Sequence, residues 1–342
     1  MTRIIALLIS AAASAVAAEP TLLSEYEVIR SLDRAYLRTY AAAGQPDEYG
    51  AIGRNRKAFQ GVFNQRHCIE TIFHGTVLHD AKETAKGIRV MEYTFQHQQP
   101  DGNFEMHVDD PHYKGSVGEY AQSMAFFFYD LGHAILYLDE NDWFQQSTET
   151  DALRERVAKV REQAKKSLEW LKTKAEVLRK DTKAANRVLI YGEAYYLMGR
   201  VLQDRNAMEI GRRFIGTALA MQAPDGYFTE NGGGDTNYNL FSALLVENLL
   251  LHLAPEDAAQ KARLWQALER AVKWQMSRIL PDGTVSTEGN SRVKPGGETF
   301  LGKEKAVDVI RLPLMLYEYA VLAGDTAAKD AADRVRATYL KR

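Results

Sequence analysis

The side chains best suited to chemistry fall into three short polar segments, each following a Pro-Asp-Gly turn. After Pro100-Asp101-Gly102 come Glu105, His107, Asp109, Asp110, His112 and Tyr113. After Pro224-Asp225-Gly226 come Glu230, Asn231, Asp235, Asn237 and Tyr238, and after Pro281-Asp282-Gly283 come Glu288, Asn290, Arg292 and Lys294. The second segment is the most informative. Gly232-Gly233-Gly234 lets the backbone approach a ligand or adopt positive φ, Asp235 is a good helix N-cap, and Thr236-Asn237-Tyr238-Asn239 then opens an apolar helix. A tyrosine at a cleft mouth can give or take a proton if a cation or hydrogen bonds lower its pKa. Each of these residues equally suits a solvated turn, and Tyr238 an interfacial aromatic with a wet hydroxyl.

Metal and nucleotide chemistry fit less well. His74 and His79 are five apart, off the i, i+4 spacing of a helical zinc pair, and the triglycine has no phosphate-loop lysine. No metal and no cofactor is expected. Cys68 is the single cysteine, so an intramolecular disulfide is impossible, and with no base beside it a buried apolar role is expected. Formal net charge is −2, which provides no global field toward nucleic acid or a membrane surface.

Helices must position these loops. Apolar residues recur at three- and four-residue spacing over 22–43, 78–98, 116–138, 148–179, 184–203, 207–222, 238–253, 255–279 and 307–323, while alternating runs are scarce. Charge-laced helices such as 151–179 read as an outer layer and apolar ones such as 238–253 as an inner layer. The second and third Pro-Asp-Gly turns stand about 57 residues apart, and the first and second about twice that, so one helix pair plus loops is the repeat unit. About six units fit the chain. The expected fold is all-α, a closed (α/α) toroid of about six helical hairpins in one domain over 19–342, with Asp101, Asp225 and Asp282 on one face of the ring.

Ahead of that domain, Arg3, the apolar stretch Ile4 to Ser14 and the small residues Ala15-Val16-Ala17-Ala18 have the order of a signal peptide, residues 1–18. Export to the periplasm or outside the cell is expected. No later apolar run is long enough to span a bilayer.

Asn186-Arg187 on an inner helix, about fifty residues before a glycine-rich loop that ends in helix-opening Tyr238, resembles the α/α-toroid polysaccharide lyases, the alginate and glucuronan lyases among them. The segments Asp225 to Asn239 and Asp282 to Arg292 are similar to those of such toroids. The resemblance implies β-elimination on an anionic, uronate-containing polysaccharide or oligosaccharide. Asn186, with Arg187, would neutralise the uronate carboxylate, and Tyr238 would work at the scissile linkage. The alginate lyases of this group place a histidine directly after the asparagine, where Arg187 stands here, which leaves His107 or His112 as the histidine. Arg187, Glu230, Asn237, Asn290, Arg292 and Lys303 are the expected substrate contacts, with Lys294 and Lys305 as further cations. Two other readings fit the same loops. One is a toroidal glycoside hydrolase, of which the unsaturated-uronyl hydrolases are similar in size and helix order, using Asp109 or Asp110 with Glu230, Asp235 or Glu288. The other is a non-catalytic periplasmic glycan-binding protein.

Overall fold

The computed structural model of the chain describes residues 23–107, 114–300 and 302–340. The expected leader lies outside them, as do Asp109, Asp110, His112 and Tyr113. The described residues are mostly helical. In chain order the helices are α1 (Glu25–Arg30), α2 (Arg34–Ala43), α3 (Ile69–Val77), α4 (Ala81–Phe95), α5 (Val117–Asp139), α6 (Asp142–Gln146) and α7 (Asp151–Lys172). They continue with α8 (Ala175–Leu178), α9 (Ala185–Leu202), α10 (Arg205–Ala220), α11 (Thr236–Leu251), α12 (Ala258–Ser277), α13 (Arg311–Ala323) and α14 (Thr326–Tyr339). A two-stranded antiparallel ribbon pairs Thr299–Phe300 with Lys303–Glu304.

Side-chain caps fix where many helices begin. Ser24 and Ser116 form capping boxes with Glu27 and Glu119, and Asp33, Asp80, Asp204, Asp235 and Asp325 each accept from backbone N–H groups in the first turn they precede. Two kinds of helix then alternate along the chain. In α7 the buried positions, Leu153, Val157, Val160, Ala164 and Leu168 among them, form one stripe, which suits a helix with one face in water. In α11 every residue from Thr236 to Leu250 except Phe241 is buried, so this helix is packed on all sides. Helices α5, α9 and α13 are buried like α11. Successive antiparallel partners pack together: α3 on α4, α9 on α10, α11 on α12 and α13 on α14, while α9 also touches α5 and α11, and α11 touches α13.

The three Pro-Asp-Gly turns are equivalent in detail. In each, the glycine N–H donates three residues back, to Gln99, Ala223 or Leu280, and that residue's N–H donates forward to Asn103, Tyr227 or Thr284. Each glycine has positive φ, and a Cβ there would lie 2.5, 2.6 or 2.4 Å from the carbonyl oxygen of Lys166, Arg270 or Arg334. Those carbonyls belong to α7, α12 and α14, the one-face helices that follow each turn.

The periodicity reading departs from the structure at several places, among them the unexpected short helix α6 and the break between α7 and α8. The segment 22–43 breaks between α1 and α2, because Asp33 caps a new helix. Helix α3 was not expected: seven of its nine residues are buried, so it has no polar face to define a stripe. Helix α14 was missed as well, because alanines make most of its buried face.

Candidate active site

A cavity of about 600 Å³ opens among the buried helices. Two clusters of charged residues form its walls. The first is built from the triglycine loop and the segment 290–305. Asp235 ties them together: Oδ1 caps α11 through the N–H groups of Asn237 and Tyr238, and Oδ2 accepts from the N–H groups of Arg292 and Val293 at 2.9 and 2.8 Å. The loop reaches this cap through Asn231 and Gly232, both at positive φ.

On this wall Tyr238 Oη donates to Glu298 Oε2 at 2.8 Å and accepts from Lys305 Nζ at 2.8 Å. The Arg292 guanidinium stacks 4.5 Å from the phenol ring and pairs with both Glu230 and Glu298. Burial, reinforced by the Glu298 carboxylate, pushes the Tyr238 phenol above its ordinary value, and the Arg292 charge offsets this only in part. The lowered pKa envisaged for Tyr238 is therefore not what this setting produces. Its phenol is held protonated, as an acid. Burial raises the Glu230 carboxyl also, against the pull of Arg292.

The second wall comes from segments far apart in sequence. Arg311, at the start of α13, donates to Glu70 of α3 and approaches His67 Nδ1 at 2.9 Å, while its other nitrogen pairs with Asp308 at 2.7 Å. His67 Nδ1 also lies 2.9 Å from Glu70 Oε1. Burial alone would raise the Glu70 carboxyl, but the adjacent His67 and Arg311 hold it down at about 2. His67 has φ of 91°, an uncommon conformation for a residue with a Cβ, and its backbone N–H and that of Cys68 both donate to Asp130 Oδ2 at 2.8 Å. With Nδ1 engaged by Glu70, Nε2 is the nitrogen that would meet a ligand. Cys68 is buried, its thiol pushed up by burial and by Asp130, to whose Oδ2 it donates at 2.9 Å.

The cavity brings together seven of the residues singled out in the sequence: Asn186, Arg187, Asn231, Asn237, Tyr238, Arg292 and Lys305. Asn186 Oδ1 is buried without a hydrogen-bond partner, so its amide has unspent capacity at the cavity wall. Arg187 pairs with Asp181 at 3.0 Å, and Asn237 Oδ1 accepts from the Asp308 N–H at 2.8 Å. Glu230 stands behind Arg292 as its buried counter-ion. Three expected site residues lie apart from the cavity. His107 is a surface residue 3.6 Å from Glu105, with 68% of its side chain exposed. Asn290 is internal, accepting from Thr236 and donating to the Val293 carbonyl, so its amide is spent on loop structure. Lys303 sits on the exposed ribbon. His67, Glu70 and Arg311 were missed because no local pattern joins residues some 240 positions apart.

No protein-family model matches the chain, and no curated protein matches it significantly. Among the described residues no helix is long and apolar enough to cross a membrane.

Proposed function

We infer that the protein is a polysaccharide lyase that cleaves a uronate-containing polymer by β-elimination within an α/α toroid. The observation that carries this reading is the pairing, across one cavity, of a phenol held protonated with an imidazole oriented by a carboxylate. β-Elimination needs both. His67 Nε2 takes the C5 proton of the uronate in the tautomer whose Nδ1–H donates to Glu70, in which Nδ1 does not accept from the Arg311 guanidinium beside it. Asn186 and Arg187 hold the sugar carboxylate and so stabilise the charge that grows on it. The C4–O bond then breaks as the Tyr238 hydroxyl gives its proton to the leaving oxygen. Arg292 and Lys305 supply positive charge for neighbouring uronates, which a chain of near-balanced charge must provide locally. The histidine absent beside Asn186 is replaced, in this reading, by His67 from the opposite wall.

Ring closure is supported by contacts between the two ends of the chain. Helix α1 touches both α3 and α13, Tyr36 Oη donates to the Ile310 carbonyl at 2.8 Å, and Asp33 pairs with Arg336 at 2.6 Å. In this reading the pairs α3–α4, α5–α7, α9–α10, α11–α12 and α13–α14, with α1 and α2, make up the toroid.

Of the carboxylates the hydrolase reading calls on, Glu230 and Asp235 are already engaged, Glu288 does not line the cavity, and Asp109 and Asp110 lie outside the described residues. Glu230 is bound to Arg292, and Asp235 accepts four backbone N–H groups. The deciding experiment is incubation with a panel of polyuronates while following ultraviolet absorbance, since elimination leaves a C4–C5 double bond. New reducing ends without absorbance would replace the lyase by a hydrolase, and binding without either product would leave a glycan-binding protein.

A further inference from the structure

Beneath the cavity lies a second polar cluster that the elimination chemistry does not use. Glu25 of α1 places Oε1 at 2.6 Å from His133 Nε2 of α5 and Oε2 at 2.9 Å from His252 Nε2, the residue that ends α11. All three are buried, and one atom from each falls within 4.8 Å of the other two. We propose that Glu25, His133 and His252 bind one divalent transition-metal ion of the zinc class, which ties the first helix to the centre of the helix assembly.

Two imidazoles and one carboxylate form a familiar zinc donor set with a fourth position open. Around a tetrahedral ion with arms of about 2 Å the donor atoms stand about 3.3 Å apart, so the observed spacings require only small outward movements. The other nitrogen of His252, Nδ1, faces Glu140 Oε1 at 3.5 Å. Nδ1 has no hydrogen-bond partner at that distance, so Nε2 is the nitrogen that the packing directs at Glu25.

An independent observation points to a cation. Glu318 of α13 is buried and its Oε2 has no hydrogen-bond partner. Glu193 of α9 is buried near Glu25 as well. Among the described residues no lysine or arginine pairs with Glu25, Glu193 or Glu318, so no permanent cation serves these buried carboxyls. A divalent ion at Glu25, His133 and His252 would supply that cation. His133 and Glu318 both line the cavity floor, which provides an entry path.

The test uses the whole mature protein, stripped with EDTA and titrated with cobalt(II) and zinc. Cobalt should develop visible absorption bands of a four- or five-coordinate site that saturate at one equivalent and are bleached by zinc. Zinc at about a hundred times its dissociation constant should raise Tm by about 5 °C. His133→Gln and His252→Gln should each abolish the bands. Absence of cobalt bands in the wild-type protein together with an unchanged Tm in zinc overturns the proposal, whether or not the variants fold. Bands that persist in both folded variants overturn the ligand assignment.

Discussion

The two walls of the cavity use the same materials, a titratable ring, carboxylates and cations, yet they are assembled in opposite ways. The Tyr238 wall is local: Glu230, Asp235, Tyr238, Arg292, Glu298 and Lys305 fall within one stretch of chain, joined by the Asp235 cap. The His67 wall is global, since Glu70 and Arg311 meet only when α3 and α13 are both in place. The difference teaches where each function can be disturbed. The local wall is held by loop hydrogen bonds and fails by loosening. The other is held by a buried ion pair and fails when that pair is discharged.

The largest expected effect removes the chemistry from either wall. Tyr238→Phe and His67→Gln should each lower turnover by about 10² to 10⁴; the first should leave the melting temperature nearly unchanged, and the second should lower it because Glu70 loses a partner. On a substrate with a good leaving group, which needs no acid, Tyr238→Phe should recover and His67→Gln should not. Equal recovery of both would end the division of labour between base and acid. Unchanged turnover in either variant would remove that residue from the mechanism.

Acid should act on the His67 wall first. Glu70 titrates near 2 in the folded protein against an ordinary value of 4.5. A carboxyl with a depressed folded pKa contributes stability that is complete above about 4.5 and is lost as pH falls toward 2. The amount at stake is about 3 kcal/mol. Denaturant unfolding of the wild type and of Glu70→Gln, compared from pH 6 to pH 3, should show a gap that narrows on acidification. A gap independent of pH would mean that Glu70 is not held by charge.

The same contrast explains what was legible in the sequence. Tyr238 and Arg292 could be found because turn, glycine run, cap and helix start occur in order along the chain, and each has its own residue signature. Asn186 was singled out by the resemblance to the toroid lyases and lies on the cavity wall. His107 and Asn290 carried the same kind of signature and were misplaced, since a polar residue after a turn looks alike whether it faces a cavity, solvent or its own loop. His67 precedes a helix whose burial erases its periodicity, and its partner Arg311 is announced by no turn. Long-range charge pairing has no local spacing to read, so the second half of the site had to come from coordinates.

A smaller effect is expected from the Asp235 cap. Asp235→Ala would free four backbone N–H groups, two at the start of α11 and two at Arg292 and Val293, in a fully buried setting. A cost of about 2 kcal/mol in stability is expected. The functional loss should follow Arg292, which would lose its fixed backbone. Substrate affinity should therefore weaken more than turnover, while pH dependence in the acid range stays as in the wild type, because the His67 wall is untouched. Parallel loss of the Glu70 titration would show that the two walls are one unit.

The smallest effect distinguishes the triglycine loop from the turns that resemble it in composition. At Gly226 a Cβ would meet the Arg270 carbonyl carbon at 3.1 Å and its oxygen at 2.6 Å, in addition to a φ of +104°. At Gly232 φ is +81°, but nothing lies within 4 Å of a Cβ. Gly226→Ala therefore meets backbone that cannot move without shifting α12, whereas Gly232→Ala meets only the conformational preference of an L-residue. The second substitution should cost about 1 kcal/mol, and the first at least twice that. Because Gly232 lies on the loop that carries Asp235, its small cost should appear locally, as faster amide exchange across residues 230–236, and not as a broad loss of protection. If Gly232→Ala destabilised as much as Gly226→Ala, the loop would be packed as tightly as the turns, and the room it is taken to leave for a polymer beside Tyr238 would not exist.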